Sequence, residues 1–234
     1  MQMADEGADI IDIGGESTRP GASDVTVKEE LARTIPVIES LKKRISVPIS
    51  IDTRKSEVAA AALNYGASII NDVSGLRYDR KMAEVASRSG SSVILMHMRG
   101  EPRNMQKSPR YRNIISEIKR GLLESIEMAR SAGVPAKKII IDPGIGFGKT
   151  AKHNLQLLNR LNEFRLLGYP LCVGVSRKSF IGKVLGIDDV SGRLAGTIAA
   201  SVVAIMNGAD ILRVHDVKEA AQAAVMTKSI MEAG

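Results

Sequence analysis

Hydrophobic positions along the chain follow two patterns, short β-branched runs and longer stretches with helical spacing. Seven short apolar runs have the length and composition of buried parallel strands. They lie at residues 8–14, 47–52, 68–73, 92–98, 138–142, 170–176 and 211–217. Between them, apolar residues recur every three or four positions, as at Ile114, Ile118, Leu122 and Ile126, and at Leu155, Leu158 and Leu161. The alternation of strands and helices predicts a parallel α/β fold.

Glycine and proline positions mark the ends of the predicted helices. Gly7, Gly66, Gly168 and Gly208 each stand just before a predicted strand and are typical of helix C-termini. Pro36 lies inside a helical stretch, where it predicts a kink or a late helix start. Because no low-complexity linker interrupts the pattern, we expect all 234 residues to form a single domain.

The number of strand–helix units favours a closed barrel over an open sheet. A TIM (β/α)8 barrel has eight units, and seven are found in this sequence. Residues 1–7 have the composition of the last turns of a helix. We therefore expect an α/β TIM barrel that lacks its first strand, the loop after that strand and most of the first helix. A true seven-stranded sheet is the alternative.

Composition narrows the class of protein. The 44% hydrophobic fraction can build a large core, which must be aliphatic because aromatic residues make up 3% of the chain. The single cysteine, Cys172, excludes an internal disulfide framework and predicts a reducing, cytoplasmic setting. It stands among apolar neighbours in a predicted strand, so we expect it in the core. No apolar run approaches the roughly 20 residues of a transmembrane helix, and the acidic first residues are unlike a signal peptide, so no membrane partner is expected.

The net charge of +7 has two interpretations. Nucleic-acid-binding proteins cluster their basic residues and place stacking aromatics among them. Here the lysines and arginines are scattered over the predicted helices, which argues against a nucleic-acid partner. A positive field also suits an anionic small substrate, and we favour that interpretation.

Polar or glycine-containing sequence follows every predicted strand. The seven segments are residues 14–21, 52–54, 71–73, 96–98, 142–149, 176–179 and 213–216. In a TIM barrel, the C-terminal strand ends carry the active site. A single aspartate after a strand is more often a helix N-cap, but seven polar strand ends together indicate an active site.

One group of these residues offers hydrogen-bond acceptors. Asp52, Asn71 and Asp142 suit a heterocycle with amino and ring N–H donors, because buried carboxylates need partners of that kind. Met96 and Met98 are expected to form part of the pocket wall.

A second group is cationic. Lys178 and Arg213, together with His215, suit an anion such as diphosphate. A lone histidine would be weak support for this interpretation. His215 lies two residues after Arg213, however, so we expect both side chains on the same strand face.

Residues 144–150 resemble a nucleotide-binding loop only in part. They follow a strand, precede a helix and end in Gly-Lys-Thr. A P-loop needs a glycine five positions before the glycine of that triplet. Pro143 stands there instead and has no N–H to offer a phosphate. The glycine spacing also fails the dinucleotide-binding fingerprint, so a nucleotide-hydrolysing enzyme is not expected.

With these motifs in place, the sequence closely resembles the dihydropteroate synthases, the pterin-binding barrel enzymes of folate synthesis that sulfonamides inhibit. The motifs that carry the resemblance are GGESTRPG at residues 14–21, IDT at 51–53, INDV at 70–73, DPGIGFG at 142–148, SRKS at 176–179 and RVHD at 213–216. They span nearly the whole chain in the order found in the family.

The resemblance implies a reaction and a role for each matching residue. The reaction is the condensation of 6-hydroxymethyl-7,8-dihydropterin diphosphate with p-aminobenzoate, which gives 7,8-dihydropteroate and diphosphate. The implied pterin-binding residues are Asp52, Asn71, Met96, Asp142, Gly174 and Lys178. Those implied for diphosphate are Thr18, Arg213 and His215. Those implied for p-aminobenzoate and sulfonamides are Thr18, Arg19, Pro20, Phe147, Lys178 and Ser179. The implied catalytic residues are Asp52, Asp142, Lys178 and Arg213.

The resemblance also implies Mg²⁺ as a cofactor and a homodimer as the assembly. In the family, an asparagine associated with Mg²⁺ and diphosphate lies in a loop after the first strand, and no segment of this sequence matches that loop. We therefore expect an intact pterin pocket, no complete metal site and weak or absent turnover.

Two other functions of the same fold stay open. One is a pterin-dependent methyltransferase, which shares the pterin pocket on a similar barrel. The other is a non-catalytic pterin-binding protein, a function compatible with the missing loop. The motifs at 176–179 and 17–20 favour the synthase, because in the family they serve p-aminobenzoate.

Overall fold

A computed structural model of the chain describes residues 1–19, 21–101 and 103–233. These residues form seven strands, and all seven predicted strands are confirmed. They are β1 (Ile11–Gly14), β2 (Ile49–Asp52), β3 (Ile69–Asp72), β4 (Ser92–Met96), β5 (Ile139–Asp142), β6 (Cys172–Val173) and β7 (Ile211–Leu212). The last two are shorter than predicted, with two residues each, because the chain passes into loops directly after them.

The strands are parallel and follow one another in chain order. Strands β1 to β5 form one sheet, and β6 pairs with β7 through the register of Cys172 with Ile211. A parallel bridge between Ile141 and Leu171 joins this second pair to β5. The strand order therefore runs from β1 to β7 without a crossover, as in a (β/α) barrel.

The described residues also form nine α-helices, and at least one follows each strand. They are α1 (Gln2–Asp5), α2 (Val27–Lys42), α3 (Ser56–Asn64), α4 (Met82–Ser89), α5 (Ile114–Ser131), α6 (Ala151–Asn159), α7 (Ser179–Leu185), α8 (Leu194–Met206) and α9 (Val217–Glu232). Short 3-10 helices occupy Ala136–Lys138, Leu161–Leu167 and Ser191–Arg193. Within the described ranges, no helix combines the length and apolar character needed to cross a membrane.

Most helix predictions are confirmed. The predicted apolar face of α5 is buried along its length. The four glycines expected at helix ends have positive φ angles, the left-handed conformation that glycine adopts without strain. They are Gly7, Gly66, Gly168 and Gly208.

One of the two alternatives predicted for Pro36 is excluded, and one predicted helix face is wrong. A late start at Pro36 does not occur, because α2 begins at Val27, where the Thr26 side chain accepts a hydrogen bond from the Glu29 N–H at 3.2 Å. The kink stays a prediction. The apolar face expected at Leu155, Leu158 and Leu161 is not found. Leu155 is 45% exposed, because the buried face of α6 runs through Asn154, Leu157 and Leu158. Helix α6 ends before Leu161, where a tighter 3-10 helix begins.

Strand residues alternate between two apolar layers. One layer packs against the helices and contains the fully buried Ile51 and Ile141. The other layer is a smaller cluster on the opposite, inner face: Ile10, Ile69, Ile94, Ile140, Cys172 and Ile211. The core position expected for Cys172 is thus confirmed. Side chains alternate along a strand, so residues two positions further along stay on this inner face.

Gly15, directly after β1, allows helix α2 to pack closely against the strand end. A β-carbon at this position would lie 2.9 Å from both Glu30 Cγ and Thr34 Cγ2 and 3.1 Å from the Glu30 carbonyl oxygen. Arg33 Nη1 also donates a hydrogen bond to the Gly15 carbonyl at 2.8 Å. Because Gly15 has no side chain, helix α2 can approach the loop after β1 this closely.

We expect Gly15→Ala to lower the free energy of unfolding by about 1–3 kcal/mol, because the added methyl group overpacks this contact. Urea denaturation checks the value. The matched control is Gly192→Ala at an exposed position, where the added carbon would approach only the Ile187 Cγ2 methyl group, at 3.0 Å. Equal stability of the two variants would contradict the packing argument.

Candidate active site

Strand alternation brings residues of all seven described strands, or residues directly after them, to one inner region. Asp12, Asn71, Met96, Asp142, Gly174 and Arg213 each lie two positions after a residue of the inner-face cluster. Asp52 lies two positions after the buried Ser50 on β2. Because parallel strands point the same way, these side chains meet at the C-terminal end of the strands. Sequence reasoning identified all of them except Asp12.

Arg213 connects the last strand to the first two. Its Nε donates a hydrogen bond to Asp12 Oδ2 at 2.6 Å, and its Nη2 donates to Asp52 Oδ2 at 2.9 Å. Asn71 Nδ2 also donates to Asp12 Oδ2, at 3.2 Å. Burial acts to lower the pKa of Arg213, but the Asp52 and Asp12 carboxylates outweigh this effect and raise it. Arg213 therefore stays charged, with a carboxylate on either side.

Asp12 is the functional candidate that sequence reasoning missed. It stands within the apolar run of β1, where a carboxylate is costly unless it is paired. That exception to the hydrophobic pattern was the available signal, but its partner Arg213 is 201 residues away in the sequence. The two side chains therefore come together only in the folded chain.

Two buried carboxylate oxygens of this region have no donor among the described residues. They are Asp12 Oδ1 and Asp52 Oδ1, each the second oxygen of a carboxylate that Arg213 binds through the first. The pKa of Asp52 is raised to about 7, because burial and the nearby Asp12 raise it by more than Arg213 lowers it. An unpaired buried acceptor is costly, so both oxygens are suited to a ligand that carries N–H donors.

Asp142 and Lys178 form the opposite side of the region. The Gly144 N–H donates to Asp142 Oδ1 at 2.6 Å. Burial raises the pKa of Asp142, whereas Lys178 and this N–H favour the charged form. Burial also lowers the pKa of Lys178 to about 8. Lys178 Nζ donates to the Ile145 carbonyl and lies 4.8 Å from the centre of the Phe147 ring, so it ties the loop after β5 to the loop after β6.

His215 is held by Ser176, across the β6–β7 pair. Its Nδ1 lies 2.9 Å from Ser176 Oγ, and its backbone N–H donates to the same oxygen at 3.2 Å. Burial lowers the pKa of His215, and the cations Arg177 and Arg213 add to that effect. The prediction that Arg213 and His215 share a strand face is wrong, because β7 ends at Leu212 and both residues lie in the loop beyond it.

The remaining predicted residues lie at the rim. Thr18 and Phe147 are half-buried, and Arg19 and Ser179 are exposed. Arg19 contributes to the positive potential around His215. Pro20 lies outside the described residues.

Lys149, from the rejected nucleotide-binding motif, has a structural position behind the region. It is buried and donates hydrogen bonds to the carbonyls of Phe147 at 2.9 Å and His97 at 3.3 Å. Burial lowers the pKa of Lys149 to about 7 and the pKa of His97 to about 2. Gly144 lies so close to His97 that a β-carbon at Gly144 would be 1.9 Å from the His97 carbonyl oxygen. Lys149 thus holds the loops after β4 and β5 together.

Comparison with known proteins gives a consistent family. Residues 1–215 match the family model described as "Pterin binding enzyme". The dihydropteroate synthase of Synechocystis is 50% identical over 220 residues, which cover 94% of this chain and 76% of the relative. The Escherichia coli dihydropteroate synthase is 47% identical over 231 residues, which cover 99% of this chain and 81% of the relative.

Solved structures agree with these relatives. The Yersinia pestis dihydropteroate synthase in complex with a sulfonamide drug has a TM-score of 0.96 and 44% identity, over 99% of this chain and 83% of that one. The Xanthomonas albilineans dihydropteroate synthase with 4-aminobenzoic acid has a TM-score of 0.93 and 43% identity, over 98% of this chain and 82% of that one. The fold is the TIM barrel of these enzymes.

The buried Lys149 predicts a specific pH dependence of stability. The pKa of a lysine in an unfolded chain is about 10.4, whereas the pKa of Lys149 in the folded protein is lowered to about 7. Between these two values the unfolded chain holds a proton that the folded chain has lost, so the free energy of unfolding rises with pH across this window. We expect Lys149→Met to make that rise smaller by the contribution of one lysine, while Lys178, whose pKa is lowered to about 8, still contributes.

Urea denaturation at several pH values across the window measures the effect. Lys152→Met, at an exposed position on α6, is the matched control and should keep the rise of the unmodified chain. An unchanged slope in Lys149→Met would show that Lys149 is not the group responsible.

Proposed function

This chain belongs to the dihydropteroate synthase family of pterin-transferring enzymes in folate biosynthesis, and we propose that it condenses 6-hydroxymethyl-7,8-dihydropterin diphosphate with p-aminobenzoate. The products are 7,8-dihydropteroate and diphosphate. The observation that carries the proposal is the pair of buried carboxylate oxygens, Asp12 Oδ1 and Asp52 Oδ1, without a described donor. A pterin ring carries the amino and ring N–H groups that such oxygens need.

We propose that the pterin ring occupies the inner region between Asp52, Asn71 and Asp142. Met96 is buried on the same face and would contact the ring. Gly174 leaves space for a flat ligand, since a β-carbon there would lie 3.5 Å from Lys178 Nζ and 3.6 Å from Arg213 Cβ. The proposed pterin site thus combines fixed hydrogen-bond acceptors with space for the ring beside Gly174.

Arg213 would bind the diphosphate, with His215 and Thr18. In the ligand-free chain its guanidinium is bonded to Asp12 and Asp52. Pterin N–H groups would donate to the free Oδ1 atoms of these carboxylates, so Arg213 keeps its bonds to the Oδ2 atoms. A guanidinium has five N–H donors, so those not bonded to the carboxylates are available to the phosphate oxygens.

The chemistry we propose is electrostatic. The bond between the pterin methylene carbon and the diphosphate oxygen breaks first, and its electron pair leaves with diphosphate. The amine of p-aminobenzoate then forms the new carbon–nitrogen bond and releases its proton to water. The Asp52 and Asp142 carboxylates would stabilise the positive pterin, and Arg213 would stabilise the departing anion. An aromatic amine needs no general base for this attack.

The p-aminobenzoate site is proposed at the rim. Phe147 and Lys178 would face the ring of p-aminobenzoate, and Thr18, Arg19 and Ser179 would line its outer end. Lys178 lies between the proposed pterin and p-aminobenzoate sites, since its Nζ donates to the Ile145 carbonyl and would lie 3.5 Å from a β-carbon at Gly174. The pterin-dependent methyltransferase and the non-catalytic pterin-binding protein are not favoured, because the relatives at 47–50% identity are dihydropteroate synthases.

Mg²⁺ is implied by the family resemblance alone. Within residues 1–19, 21–101 and 103–233, no three His, Cys, Asp or Glu side chains are placed together as metal ligands. Mg²⁺ is commonly held by one or two carboxylates together with substrate phosphates, and no step of the proposed reaction is assigned to it.

The proposed cytoplasmic setting is supported by cysteine usage, because Cys172 is buried and the sequence has no second cysteine with which it could form a disulfide.

A steady-state assay with both substrates tests the proposed function. We expect formation of dihydropteroate, and we expect Asp142→Asn to lower kcat/KM by about a hundred-fold, because a neutral amide stabilises the cationic pterin less well. Asp5→Asn, at an exposed position on α1, is the control and should leave kcat/KM unchanged. Absence of product from the unmodified chain would refute the function, and the measured rate also tests the expectation of weak turnover.

We propose a homodimer formed through α8 and α9. These packed helices expose large apolar side chains: Val203, Met206, Val225, Met226, Ile230 and Met231. Met226 is 62% exposed and Val225 is 67% exposed. Exposed large apolar side chains on two helices that pack together are typical of a protein interface.

Met226→Glu should convert the dimer to a monomer, because a charge would be buried at the interface. Size-exclusion chromatography with light scattering measures the mass. Leu123→Glu on α5, where the leucine is 50% exposed, is the matched control and should leave the dimer intact. A monomeric unmodified chain would contradict the proposal.

A further inference from the structure

A buried group of charges closes the base of the loop between β1 and α2. We call it the base cluster, and its members are Glu16, Glu30, Arg54 and Lys55. Arg54 Nη2 donates to Glu16 Oε1 at 2.9 Å, and Lys55 Nζ pairs with the other Glu16 oxygen and with Glu30 Oε2. Each of the four side chains is less than 10% exposed. The cluster thus joins the loop, β2 and helix α2.

Arg54 holds both ends of this loop. Glu16 precedes Thr18 and Arg19, whereas Asp24 follows them, and Arg54 Nη2 also donates to Asp24 Oδ1, at 2.7 Å. Glu16 Oε1 additionally accepts a hydrogen bond from the Val25 N–H at 3.4 Å. The polar contacts therefore connect the residues before and after the segment that carries the rim side chains.

Arg54 is itself fixed to the strand end that carries a candidate pterin carboxylate. It lies two residues after Asp52, and its guanidinium carbon stacks 4.2 Å from the centre of the Tyr78 ring. The planar guanidinium stacks on the ring while its N–H groups donate to two carboxylates, and a lysine ammonium has no planar face for such stacking. The loop position is consequently coupled to the end of β2.

We propose that Glu16, Arg54 and Asp24 are positioning residues that hold Thr18 and Arg19 at the p-aminobenzoate and diphosphate end of the active site. This proposal rests on the proposed function. None of the three would touch substrate, so they act through the loop. A buried ion pair is a weak source of net stability compared with apolar residues of the same volume. Its directional bonds do, however, hold one loop conformation.

Asp24→Asn is the first test, because Asp24 is 64% exposed and its substitution is compatible with folding. We expect KM for p-aminobenzoate to rise about three-fold, the effect of losing an exposed ion pair, with a smaller rise in KM for the pterin diphosphate, because Thr18 is one of three residues proposed to bind diphosphate. Asp24→Glu keeps the charge and should restore the lower KM. Glu39→Gln removes a carboxylate from the exposed Lys43 pair on α2 and serves as the control without effect.

Glu16→Gln is the stronger test, because it removes one charge from between Arg54 and Lys55. We expect a larger rise in KM for p-aminobenzoate than in Asp24→Asn, and an unchanged pterin dissociation constant by calorimetry. Hydrogen–deuterium exchange should become faster at the amides of residues 17–19 and 21–24 in both variants. A purely structural role would instead lower the unfolding temperature and weaken both substrates equally, and that result would overturn the proposal.

The exchange measurement separates this proposal from the proposed function. If the unmodified chain forms no dihydropteroate, the function fails, while faster exchange confined to this loop still supports the anchoring of its two ends. If the chain is active but both variants show unchanged exchange and unchanged KM for p-aminobenzoate, the positioning role is refuted and the function stands.

Discussion

The ion pairs of Arg213 with Asp12 and Asp52 join the two ends of the strand order. Backbone hydrogen bonds connect β1 to β5 in sequence and β6 to β7, but the described ladders do not pair β7 with β1. The Arg213 side chain reaches across that gap from the loop after β7. Asp12 and Asp52 are also candidate pterin-binding residues, and Arg213 is a candidate diphosphate-binding residue. The contact between the two ends of the strand order and the candidate ligand site therefore share one group of charges.

Burial of charge is the common cost of this active site. Asp52, Asp142 and Lys178 are all removed from water, and burial moves the pKa of each toward its neutral form. Partners of opposite charge limit these shifts, which keeps the acceptors and donors usable near neutral pH. An enzyme that stabilises a cationic transition state and an anionic leaving group benefits from such fixed charges, because they need no reorganisation during the reaction.

The loops around the site are fixed by close backbone approaches as well as by charge. Gly15 allows α2 to reach the end of β1, and Gly144 allows the loop after β5 to pass the His97 carbonyl. Lys149 then bonds the neighbouring carbonyls from behind, and the base cluster anchors the loop after β1. Exposed rim residues such as Arg19 thus lie on loops whose bases are held by these contacts.

The sequence by itself determined the seven strands, the parallel α/β architecture and nearly all of the inner site residues. Strand alternation and the polar strand ends are local properties, so Asp52, Asn71, Asp142 and Lys178 could be identified without coordinates. Their roles came from the family resemblance, which rests on contiguous motifs. The tertiary structure decided what depends on distant contacts. Asp12 is held in the site by Arg213, and the loop that carries Thr18 is held by Arg54. A 3-10 helix changes the helical phase at Leu161. The physical reason is that a buried charge is tolerated only beside its partner, and partners far apart in sequence meet only in the folded barrel.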